Sequence, residues 1–92
     1  MLIHLHLEEI VYVTGVYGKD CTLNKLVETE YECRKAASQM EMIFIARVPL
    51  SSSPAGCFRW SGQIEVYFNS ITNPLMTSPN PATAGICKGM TI

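Results

Sequence analysis

Apolar and polar residues alternate with period two in three stretches of the chain. In 2–7, Ile3, Leu5 and Leu7 face one way and His4 and His6 the other. In 64–69, Ile64, Val66 and Phe68 oppose Glu65, Tyr67 and Asn69. Such alternation predicts strands with one buried and one wet face. Residues 10–17, "IVYVTGVY", are rich in β-branched and aromatic side chains and read as a further strand, with Gly15 as a bulge. Residues 41–48, "EMIFIARV", are an almost continuous apolar run, which predicts a central strand ended by Pro49. "SSSPAG" reads as a linker-like loop, "CFRW" as a short strand and Ser61-Gly62 as a turn. From 73 to 89 the chain reads as loop, with prolines at 74, 79 and 81; Cys87 is the natural tie for it.

The third alternation is ambiguous. Val27, Thr29, Tyr31 and Cys33 fall on one side and three glutamates on the other, a good strand pattern. Over 20–39, however, Leu23, Leu26, Val27, Tyr31 and Arg34 sit near helical spacing, Thr22 can cap, Glu30 and Arg34 form an i,i+4 pair, and "RKAASQM" supplies helix formers. The favoured reading is α+β, one helix packed on an antiparallel β-sheet. The alternative is an all-β sandwich in which 26–33 is a strand.

Ninety-two residues make a single domain, 1–92, too small to bury a large core. The net charge of −1 gives no electrostatic case for nucleic acid or an anionic membrane. No apolar run is long enough for a spanning helix. The start, "MLIHLHLEEI", lacks the basic residues and cleavage site of a secretory signal, so it reads as an intracellular chain or as a mature form with an added Met. Cysteines stand at 21, 33, 57 and 87, with gaps of 11, 23 and 29 residues and no close pair. An even number in a short chain favours two disulfides over zinc ligation; four reduced, buried thiols are the other reading.

Candidate chemistry is sparse. His4 and His6 share a strand face with Glu8 nearby, a geometry that suits a metal, but no third ligand is identifiable and no metal or cofactor is predicted. Phosphate-loop and serine-nucleophile motifs are absent. Phe58-Arg59-Trp60 is an aromatic–cation–aromatic run of the kind enriched at interfaces, with Phe58 and Trp60 on one face and Arg59 on the other. Two core aromatics with an exposed Arg are the plainer reading. With Tyr67, these residues form the candidate binding set.

Residues 20–89 resemble the small secreted guanyl-specific ribonucleases of fungi and the ribonuclease-like effectors of powdery mildews. The resemblance lies in Cys21, the helical "TLNKLVETEYECRKAASQ" with Cys33, "ARVPLSSS", "IEVYFNS" and Cys87. It implies a Cys21–Cys87 disulfide, and then Cys33 with Cys57, although sequence alone leaves three connectivities open. The catalytic pattern is not kept. Arg47 stands where the family has its general-base Glu, Glu65 where it has its phosphate-binding Arg, and the general-acid His has no counterpart in "LMTSPNPATAG". The resemblance therefore implies a secreted, non-enzymatic binding protein, an effector acting on a host protein or weakly on RNA. The alternative is a small cytoplasmic subunit of a larger assembly, suggested by the 48% apolar content.

Overall fold

The computed structural model describes residues 9–91, with side chains to 89. The strand predicted at 2–7 and the His4, His6, Glu8 group lie outside the described residues. The order of elements is β1 (Ile10–Thr14), α1 (Glu30–Gln39), β2 (Ile43–Val48), β3 (Gly56–Trp60), β4 (Glu65–Asn69) and β5 (Thr83–Thr91), with short 3-10 turns at Leu23–Lys25 and Pro74–Met76. The five strands form one sheet in the order β1-β5-β3-β4-β2. The fold is α+β, as expected, but the sheet is mixed. Edge strand β2 runs parallel to β4, while every other pair is antiparallel. The parallel pair arises because the β3–β4 hairpin folds back so that β4, not β3, lies beside β2.

The helix begins later than its 20–39 pattern predicts, because residues 26–29 are held extended. Leu26 and Val27 are buried, and Leu26 has ψ 135°. Thr29, not Thr22, is the N-cap; its Oγ1 accepts from Glu32 N at 3.1 Å. Glu30 and Glu32 lie in the first turn, where the helix dipole favours negative charge. Arg34 bridges to Glu30 at 2.9 Å and its guanidinium lies 4.3 Å from the centre of the Phe44 ring. Cys33, Ala36 and Ala37 are the buried stripe. These small side chains seat the helix on Tyr12, Cys57, Val66, Phe68 and Ile86 from four strands, which form the main core.

Two strand predictions need correction. The 41–48 run is not central; it is an edge strand whose side chains alternate between exposed and half-buried. The 73–89 stretch is not all loop, since β5 occupies Thr83–Thr91 between β1 and β3. Its glycines hid it, and the structure gives their reason. A Cβ at Gly85 would meet Cys21 Sγ at 2.6 Å, so this central strand is thinned for the disulfide that crosses it. Gly15 ends β1 rather than bulging it; the register shift lies between Ile10 and Tyr12.

Both disulfides are formed: Cys21–Cys87 and Cys33–Cys57. Cys33–Cys57 ties helix to sheet within the main core. Cys21–Cys87 anchors a smaller cluster with Leu26 and Ala55.

Candidate binding face

Pairing registers assign the side chains to faces. Arg59 lies opposite Val66 and Ala84, with Val66 in the helix-side core, so Arg59 points to the helix side. Phe58 lies opposite Tyr67 and Gly85, and alternation along β3 and β4 puts Phe58, Trp60, Glu65, Tyr67 and Asn69 on the other face.

The four predicted binding residues are therefore divided. Phe58 is fully buried and stacks on Tyr67, ring centres 5.6 Å apart. It supports the face without being available to a partner. Trp60 and Tyr67 are half-buried on that face and present aromatic surface. Arg59 is a strut on the reverse side. Its Nη1 donates to Thr14 Oγ1 at 3.2 Å and its Nη2 to Gln63 O at 2.7 Å, while its buried Nε has no partner among the described residues. With two of its nitrogens engaged by the chain and the third shut off from solvent, Arg59 is poorly placed to grip an anion.

Asn69 is the residue that sequence reasoning passed over. It is fully buried. Its Oδ1 accepts from Leu50 N at 3.1 Å and Ile71 N at 3.0 Å. Its Nδ2 donates to Leu50 O at 2.6 Å, Pro54 O at 3.0 Å and Ser53 O at 3.3 Å. The whole amide is used to hold the 50–54 loop. Asp20 holds the same loop from its other end, accepting from Ala55 N at 2.7 Å, and also takes the Thr77 hydroxyl at 2.9 Å. Thus "SSSPAG" is no linker: Ser53, Pro54, Ala55 and Gly56 are all buried. An Asn closing an alternating strand, with a Pro-containing loop earlier in the chain as its partner, is the only sequence trace of this clamp.

Two other features do not involve Trp60 or Tyr67. Tyr12 donates its hydroxyl to Glu32 Oε2 at 2.8 Å, and Lys88 Nζ lies 3.7 Å from Glu32 Oε1. Burial, then the Glu32 carboxylate, push the Tyr12 hydroxyl up to about 12 from its ordinary value of 10.0. Because the folded value is the higher one, the neutral phenol stabilises the fold at every pH below about 10. That contribution falls away as pH rises from about 10 through 12. Thermal unfolding followed by circular dichroism is expected to show this alkaline loss. Tyr12→Phe is expected to be less stable near neutral pH by about 1–2 kcal/mol and to show a smaller drop in that alkaline window.

The second feature is an open groove of about 270 Å³ beside the Cys21–Cys87 bridge, lined by Val16, Lys19, Asp20 and Lys25 among others. Among the described residues, no three His, Cys, Asp or Glu side chains cluster as a metal site, and no helix is long and apolar enough to cross a membrane. No protein-family model, no curated protein and no solved structure matches this chain.

Proposed function

We propose that this chain is a secreted, non-catalytic binding protein that engages a partner protein through the sheet face carrying Trp60 and Tyr67, with RNA a weaker ligand of the same surface. The observation that carries the reading is the pair of disulfides, each buried, in so small a domain. Such staples form in oxidising compartments and compensate for a limited core. The aromatic pair supplies rigid contact area of the kind that anchors interfaces. The resemblance to ribonuclease-like effectors points the same way. Its altered positions are consistent with lost chemistry: Arg47 is an exposed cation on the edge strand, and Glu65 is a negative charge at the position where the resemblance implies a phosphate-binding Arg. Asn69, on the same face, has no hydrogen-bonding capacity left for a substrate.

The test is the intact mass of protein from its natural source after alkylation under denaturing, non-reducing conditions. No alkylation is the expected result. Four alkylated thiols would remove the basis for a secreted protein. The intracellular-subunit reading would then take over, favoured by the exposed Ile43, Ile45 and Ile64. Cleavage of RNA that is abolished by His4→Ala or His6→Ala would overturn the non-catalytic part.

A further inference from the structure

The groove beside the Cys21–Cys87 bridge is a site that the Trp60–Tyr67 face does not use. It measures about 270 Å³ and is lined in part by Gly15, Val16, Lys19, Asp20, Lys25 and the bridge itself. Its charge is one-sided. Lys19 and Lys25 are exposed, and among the described residues neither is in an ion pair. Asp20 is the only carboxylate among the described lining residues, and it is committed to the fold. Its Oδ1 accepts from Ala55 N at 2.7 Å, and both its oxygens lie 2.9 Å from the Thr77 hydroxyl that donates to them. The groove therefore offers two uncommitted cations to an anion.

The bridge forms part of the same wall. Cys33 and Cys57 are fully buried, whereas Cys21 and Cys87 keep slight exposure. The two sulfurs of the outer bridge are not equivalent. A Cβ at Gly15 would meet Cys87 Sγ at 2.9 Å, so glycine at this lining position keeps a side chain off that sulfur. Cys21 Sγ lies instead against Gly85, where a Cβ would meet it at 2.6 Å, and Gly85 belongs to the central strand β5. Cys87 is the sulfur presented to the groove.

We infer that this groove docks a small anionic thiol, a compact molecule carrying carboxylates, whose thiolate adds to Cys87. The incoming sulfur forms a new S–S bond with Cys87 Sγ. The Cys21–Cys87 bond breaks, its electron pair stays on Cys21, and the Cys21 thiolate takes a proton from water. One disulfide is exchanged for another, so no further oxidant or reductant is needed. The lysines attract the carboxylates and the thiolate, and they stabilise the departing Cys21 thiolate. In the product Cys87 is capped, and the segment before α1 is untied from β5. The site is separate from the Trp60–Tyr67 face and its test uses purified, oxidised protein, so it stands or falls apart from the proposed function.

The experiment treats oxidised protein in native buffer with glutathione, cysteamine or 2-mercaptoethanol at equal thiolate concentration. These are the anionic, cationic and neutral probes. Timed quenching with iodoacetamide and peptide mass mapping locate the adducts. The first product is expected to carry glutathione on Cys87 and the alkyl group on Cys21. At low salt, glutathione is expected to react at least about tenfold faster than cysteamine. The gap is expected to close in about 1 M salt, where charges are screened within about 3 Å. The K19Q/K25Q double variant is altered only at exposed positions, and circular dichroism confirms its folding. It is expected to lose most of the gap, while its rate with 2-mercaptoethanol falls by less than its rate with glutathione. A glutathione rate no greater than that of cysteamine would overturn the inference. So would a gap that the double variant keeps, or a first adduct on Cys21, Cys33 or Cys57.

Discussion

Asn69→Ala is expected to destabilise the domain by about 3–5 kcal/mol. The side chain makes five hydrogen bonds to the 50–54 loop and Ile71, at 2.6–3.3 Å. Truncation leaves the Leu50 and Ile71 N–H groups and three carbonyls without their partner. Leu50 and Ile71 are partly exposed and regain some hydration. Ser53 and Pro54 are buried and do not, and each uncompensated buried polar group costs about 1–3 kcal/mol. Asn69→Asp is a sharper variant. It keeps the two bonds accepted at Oδ1 but turns a carboxylate oxygen toward three carbonyl oxygens, so it too is expected to be strongly destabilising at neutral pH. Asn80→Ala is the control. Asn80 is exposed and its side chain accepts from Ala82 N, while its bonds to Thr83 are made by the backbone carbonyl that the substitution keeps, so its loss is expected to cost about 1 kcal/mol or less. Urea unfolding with both disulfides intact reads all three. An Asn69→Ala cost near that of Asn80→Ala would show that the loop does not depend on this amide.

The clamp also shows why the candidate site was only half legible in the sequence. The 64–69 alternation correctly separated Glu65, Tyr67 and Asn69 from the core face. It carried no information about what lay above that face. Whether a polar side chain meets water, a ligand or the chain's own loop is set by a segment some fifteen residues away, which local pattern does not register. The same limit explains β2 and β5. A run such as "EMIFIARV" scores as buried on both sides, yet its place in the sheet depends on which way the β3–β4 hairpin folds. "TAGICKG" looks too poor in side chains for a central strand, because the volume that fills it comes from Cys21, more than sixty residues earlier. The helix was legible where its signals were local, in the Glu30–Arg34 pair and the helix formers of "RKAASQM", but its cap is Thr29 and not Thr22, and its buried stripe is Cys33, Ala36 and Ala37. It was over-extended where Leu26 and Val27 kept helical spacing but pack as extended chain. The disulfide pairing followed from a resemblance, and both bridges are formed.

The two disulfides are expected to differ sharply in reactivity under native conditions. Thiol–disulfide exchange needs a thiolate to reach one sulfur. Cys33 and Cys57 are fully buried between helix and sheet, whereas Cys21 and Cys87 are 6% and 7% exposed and border a groove shared with Lys19 and Lys25. Those cations attract an incoming thiolate and stabilise the departing one. Dithiothreitol without denaturant is therefore expected to open Cys21–Cys87 first, at least about tenfold faster, giving a two-thiol species by timed alkylation and mass. The second bridge should follow through unfolding, not through direct attack. The Cys21–Cys87 bridge spans 66 residues, and opening it releases about 4 kcal/mol of restraint on the unfolded chain, a large fraction of what a domain this size has in hand. The weakened fold then exposes Cys33–Cys57 by global opening. Two consequences separate this account from chance. In strong denaturant the two rates should converge, since burial no longer distinguishes them. Gly85→Ala, whose Cβ would press on Cys21 Sγ at 2.6 Å, should speed the first step and leave the intrinsic reactivity of the second unchanged. Early alkylation of Cys33 or Cys57 in native buffer would mean that the helix–sheet contact opens more readily than the groove, and that the order of stability within the fold is the reverse of the one drawn from burial.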